Sequence, residues 1–129
     1  MKTSIAAVAA VLALALVFTG CATVQVGTTF NGQQITEGNA TPVAHVNGKV
    51  WGIYLLNIPI ISGDPETGAP AMFTDTVNVD TVAAMVTAKS KEMGGTKTTS
   101  LVSGRTSVWL APFLIFFYES VEASGNATR

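Results

Sequence analysis

Pro42-Val-Ala-His-Val-Asn-Gly-Lys-Val-Trp-Gly-Ile-Tyr-Leu-Leu56 decides the fold class. Both sides of Asn47-Gly48 are rich in β-branched and aromatic residues, the types that fit a pleated, half-buried surface. Asn-Gly accepts the positive φ angles of a type I′ turn, so the stretch predicts a β-hairpin. The outgoing arm runs to about Ile61, and Pro59, which has no N–H for the ladder, confines that end to an edge or a bulge. Residues 62–70, Ser-Gly-Asp-Pro-Glu-Thr-Gly-Ala-Pro, read as a loop by composition.

Downstream the period changes from 2 to 3.6. Val82, Met85, Val86 and Met93 fall on one helical face, Asp80 or Thr81 stands where a cap belongs, and Gly94-Gly95 ends the pattern. The spacing predicts a helix over roughly 81–93 with that apolar face on a sheet. Residues 96–102 read as a strand, Ser103-Gly104-Arg105 as a turn, and 106–121 as a long last strand that Pro112 must break or bulge. Residues 124–129 read as a polar tail. Strands, one helix, then strands predict an α+β domain over 43–123: a small, largely antiparallel sheet with one helix packed on a face.

The amino-terminal segment is of a different kind. Met1-Lys2 is positive, residues 5–18 are an unbroken apolar run of 14, and Thr19-Gly20-Cys21 closes it with small residues. That is the layout of a cleaved export signal, and the run is short for a spanning helix of about 20 residues. Phe18-Thr19-Gly20-Cys21 resembles the lipobox of bacterial lipoproteins, with Phe18 where that family usually has Leu. The resemblance implies that residues 1–20 are a signal peptide and that Cys21 is the site of lipid attachment. It further implies a diacylglyceryl group on the sulfur, cleavage after Gly20 and acylation of the new amine. Ala22 is not the Asp that family precedent associates with inner-membrane retention, so the resemblance points to the outer membrane, facing the periplasm.

Removal of residues 1–20 leaves 109 residues, with six basic side chains against eight acidic ones. A net charge of −2 gives no electrostatic reason to expect nucleic acid as a partner. Cys21 is the only cysteine, so no disulfide forms within the chain and stability must come from an apolar core. Residues 22–42 are rich in Thr, Gly, Asn and Gln, and two readings of them stand. One is a tether with a reach of roughly 25 Å. The other is an N-terminal hairpin, with Val24, Val26, Thr28 and Phe30 alternating into Asn31-Gly32 and Ile35 on the return.

No catalytic constellation emerges. His45 is the only histidine, which leaves no multi-histidine metal site within one chain. A Ser-His-Asp set assembled from His45 and Asp64 lacks a Gly-X-Ser-X-Gly elbow, and no phosphate-binding glycine motif is present. Asp64, Glu66, Asp75 and Asp80 match no dense oxygen-ligand pattern. The expectation is no catalytic residue, no metal and no cofactor: a lipid-anchored envelope protein with a binding or structural role. The alternative is a small envelope hydrolase or ligand-binding domain with a site near the 62–80 loop, and it requires His45 to meet Asp64 or Asp80 in a cleft.

Two apolar runs carry the rest. Residues 50–61 and 108–118 do not alternate, so as strands they present apolar side chains on both faces. One helix of about 14 residues covers one face of a small sheet. The second face is covered either by the N-terminal hairpin and the 62–79 loop, by a second copy of the chain, or by a lipid or envelope-protein partner.

Overall fold

The computed structural model describes residues 21–30, 33, 39–110 and 115–129. Six strands, β1 (Ala22–Gly27), β2 (Pro42–Leu55), β3 (Ile58–Gly63), β4 (Pro70–Met72), β5 (Lys97–Trp109) and β6 (Phe116–Thr128), form one antiparallel sheet. One helix, α1 (Val79–Glu92), packs on it. The α+β architecture is the expected one. Spatial order is β4-β3-β2-β6-β5, with β2 central. One edge of β2 pairs with β6 along its length, while the other is shared end to end, β1 taking His45 to Val50 and β3 taking Gly52 to Leu55.

Several boundaries differ from the sequence reading. Asn47-Gly48 is no turn; it lies inside β2, with Gly48 directly beneath the helix. A Cβ there would stand 3.0 Å from Val86 Cγ2 and 3.3 Å from Val82 Cγ1, so this glycine admits the helix to the sheet rather than reversing the chain. The reversal comes at Leu56-Asn57, where Leu56 itself takes a positive φ of 55°. Ser103-Gly104-Arg105 likewise runs straight within β5, and the chain turns back between Leu110 and Phe116, joined by the Leu110 N–H to the Phe116 carbonyl (3.0 Å). Pro112 and the Asn31-Gly32 turn lie outside the described residues. Pro59 does sit at a register shift, opposite Tyr54.

The two termini of the domain also differ. Residues 124–128 are not a tail but the last part of β6, with Gly125, Asn126, Ala127 and Thr128 buried. Residues 22–27 are not a tether: β1 is a strand of the main sheet, paired with β2.

Helix α1 is capped by Asn78, whose side-chain oxygen accepts the Thr81 N–H at 2.8 Å. Asp80 lies two residues inside, in the first turn, where its negative charge complements the positive end of the helix dipole, and Lys89 and Lys91 complement the negative end. Val82, Met85 and Val86 face the sheet as the periodicity predicts, Met93 is half-buried against the core, and Gly94 leaves the helix at φ 84°. The core beneath is made of Ala44, Val46, Val50 and Tyr54 from β2 and Val121, Ala123 and Ala127 from β6.

Candidate functional site

The sheet begins at the residue after the cysteine. The Cys21 N–H donates to the Gly68 carbonyl (3.1 Å), and the Cys21 carbonyl accepts the Trp51 N–H (2.9 Å). With Ala22 opposite Val50, Cys21 stands opposite Trp51, in the seam where β1 and β3 meet along β2. The seam is tight: a Cβ on Gly63 would lie 2.3 Å from the Cys21 carbonyl oxygen, so only glycine lets the chain pass. Cys21 is 1% exposed, and burial pushes its thiol pKa up, away from the reactive thiolate.

The neighbouring turn is built to hold that position. The Asp64 carboxylate accepts the N–H groups of Glu66 (2.8 Å) and Thr67 (3.3 Å), which hold it below the usual carboxylate range. The Asp64 carbonyl accepts the Gly68 N–H (2.9 Å), and Gly68, at φ 73°, turns its own carbonyl to Cys21. Asp64 is thus a turn residue whose product is the backbone acceptor for the cysteine.

The residues of the hydrolase alternative are not brought together. His45 stands opposite Gly27, at the far end of β1 from the Asp64 turn, and its exposed ring donates from Nδ1 to Asn126 Oδ1 (2.7 Å). Asp80 is in the first turn of α1, on the other side of the sheet. Asp75 accepts the Tyr54 hydroxyl (2.7 Å), and Glu66 is exposed. Among the described residues no three His, Cys, Asp or Glu side chains are grouped to hold a metal ion.

One group of polar residues was not legible in the sequence. Beyond the amino end of α1, on the helix side of the sheet, the Tyr54–Asp75 bond lies near an Arg105–Glu119 ion pair. Trp109 stacks edge-on against Phe117 beside them, with ring centroids 4.8 Å apart. Burial, then the bond to Asp75, push the Tyr54 phenol far above its ordinary range. A phenol that holds its proton so firmly serves as a fixed donor, and here it straps the 73–78 segment onto the sheet, with Val77 buried against Gly52. The signal was obscured because Arg105 reads as turn and Asp75 as loop.

The opposite face of the sheet divides in two. Strand alternation sends His45, Asn47 and Lys49 of β2 to it, beside Asn126, Ser124 and Glu122 of β6; Lys49 and Glu122 are paired at 2.7 Å. Two residues further along, the same face turns apolar. Trp51, Ile53 and Leu55 lie beside Tyr118 and Phe116, with Ile61 and Met72 extending the surface through β3 and β4 and Val108 through β5. Trp51 and Tyr118 touch, ring centroids 5.7 Å apart. Of the segments expected to cover this surface, the described strand of the N-terminal hairpin, β1, joins the sheet at its edge, and residues 73–78 of the 62–79 loop pack on the helix side. Residues 31–32 and 34–38 of the hairpin lie outside the described residues. No described element lies over the apolar half.

That half ends in an apolar tip. The two non-alternating runs, each expected as one strand, both fold back on themselves at the same end of the sheet, where the Leu56 N–H meets the Ile115 carbonyl at 2.7 Å. Leu56, Ile58, Phe73, Trp109 and Ile115 are all exposed there, Phe73 at 68%.

The chain matches no protein-family model, no curated protein and no solved structure. None of the described helices is long and apolar enough to cross a membrane.

Proposed function

We propose that the chain is a lipoprotein of the bacterial cell envelope, cleaved after Gly20, acylated on Cys21, and held on the periplasmic side of the outer membrane in a binding or structural role. The observation that carries this reading is how the fold uses Cys21. Its ties to the sheet at the mature amino terminus are its own N–H, to Gly68, and its own carbonyl, from Trp51. Both groups survive cleavage, and N-acylation turns the amine into an amide that still has one N–H to donate. The mature terminus proposed from the lipobox is therefore one the fold can keep.

A binding or structural role is supported by where the candidate catalytic groups are spent: Asp64 on a turn, Asp75 on Tyr54, and His45 on Asn126. Fractionation of cells producing the Cys21→Ser chain tests the proposal. The wild-type protein should remain in membranes washed with alkaline carbonate and need detergent for release, whereas Cys21→Ser should come off in the wash. Equal retention of both would refute the anchor.

A further inference from the structure

We propose that the apolar half of the open sheet face lies on the phospholipid surface to which Cys21 is tied, so that the domain is held by its acyl chains and by Trp51, Ile53, Leu55, Phe116 and Tyr118 together. The inference rests on the lipid-anchor reading above and adds the orientation of the domain and the occupant of the face. Placement argues for it first. Cys21 is hydrogen-bonded to Trp51 at the border of the apolar half, and β1 begins at the next residue. No tether separates the anchor from the sheet, so a lipid on Cys21 brings the bilayer to the edge of this surface.

Composition argues for it next. Nearest the anchor stand Trp51, opposite Ser120, and diagonally across from it Tyr118, whose ring meets that of Trp51. These two aromatic side chains, each with an apolar body and a polar tip, suit the boundary between headgroups and acyl chains. Farther along the same face come Ile53, Leu55 and Phe116. The nearest charges of β2 and β6 on this face, Lys49 and Glu122, neutralise each other one row before Trp51. The mature chain carries a small negative charge, so attraction to anionic headgroups contributes little, and contact should be insensitive to salt.

Backbone chemistry sets the depth. Strand β5 forms one edge of the sheet and β4 and β1 the other, and their outward N–H and C=O groups have no partner in hydrocarbon. Insertion by the tip would strand them there. Face-on contact leaves both edges among headgroups and water, at the depth amphipathic surfaces reach.

The test uses the full mature lipoprotein carrying Trp109→Phe, which leaves Trp51 as the only tryptophan. It is reconstituted into phosphatidylcholine vesicles whose acyl chains are brominated near the headgroup or near the chain end. Trp51 emission should shift to the blue and lose most of its intensity with the shallow bromines, less with the deep ones, equally in low and high salt. Mass spectrometry of the Cys21 peptide from the same sample separates the two proposals. An acylated Cys21 with unquenched Trp51 overturns the docking face and leaves the anchor standing. Quenching with an unmodified Cys21 upholds the docking face and discards the anchor. Unquenched Trp51 in a protein that crosslinks as a dimer gives the face to a second copy and overturns the inference.

Discussion

Residues 44–50 and 51–55 belong to one strand and pair with β6 without a break, yet they face different surroundings. In the first half, Ala44, Val46, Gly48 and Val50 are buried under α1, while His45, Asn47 and Lys49 are polar on the other side. That alternation is what a sheet with one wet face requires. In the second half both sides are apolar or aromatic, but the helix no longer covers one side and no described element covers the other. The first half shows how the chain folds; the second shows surface beyond what folding itself requires. At roughly 25 cal/mol per Å² of apolar area left in water, keeping such a surface is costly unless something covers it.

Substitutions on either side of the divide sharpen it. The largest effect is expected in the seam between the halves. Gly63→Ala would push a Cβ into the Cys21 backbone, so β1 must move, at a cost of about 3 kcal/mol, the upper end for overpacking. Gly104→Ala, where nothing lies within 4 Å, should be neutral or slightly stabilising. Urea denaturation of the two variants decides whether the seam is as tight as described; similar midpoints would mean that it is not.

Within the helix-backed half, Val86→Ala should cost about 1–3 kcal/mol, since the side chain is fully buried over Gly48. Lys89→Ala loses only a surface pair with Glu92 and should stay within about 0.5 kcal/mol. A neutral Val86→Ala beside a costly Lys89→Ala would reverse the helix face.

Tyr54 reports on the far half. Tyr54→Phe should cost about 0.5–1.5 kcal/mol near neutral pH, through loss of its bond to Asp75. The wild type should also show an alkaline signature. Its folded phenol pKa is raised, so the unfolded chain releases the proton near pH 10 while the folded one keeps it. Stability from this group is full below about pH 10 and falls as pH rises beyond it. The fall should be smaller in Tyr54→Phe, and urea midpoints from pH 8 to 12 measure it.

The smallest effect on stability is expected at a mostly exposed position of the apolar half. Met72→Ser, at a position 63% exposed, should change stability by less than about 0.5 kcal/mol. It should nonetheless reduce binding of a hydrophobic dye by the detergent-free protein. An unchanged dye signal would mean that the apolar half is not the surface the dye reads.

The helix was legible because its apolar period, its lysines and its Gly94-Gly95 stop agree with one another. The turns were not, since glycine serves more than one purpose. Gly48 lies where a helix needs close approach, and Gly104 lies inside an edge strand, while the real reversal at Leu56-Asn57 uses a leucine at positive φ and contains no glycine. Residues 124–128 look like coil by composition, but small residues are what that crowded place admits: a Cβ on Gly125 would stand 2.8 Å from Thr98 Cγ2. Cys21 could be singled out from residues 18–21 alone. That it is wedged past Gly63, opposite Trp51, depends on pairings 30 and 42 residues away in the chain, which no local pattern encodes.

The central claim is that Cys21 is both the lipid-bearing first residue and the residue that leads directly into the first strand of the sheet. Mass spectrometry of the intact protein extracted from membranes, with fragmentation of its amino-terminal peptide, tests it most directly. The account predicts a chain that begins at Cys21, with diacylglyceryl on the sulfur and an acyl group on the nitrogen. A free Cys21 thiol, a chain still carrying residues 1–20, or cleavage at another position would contradict it.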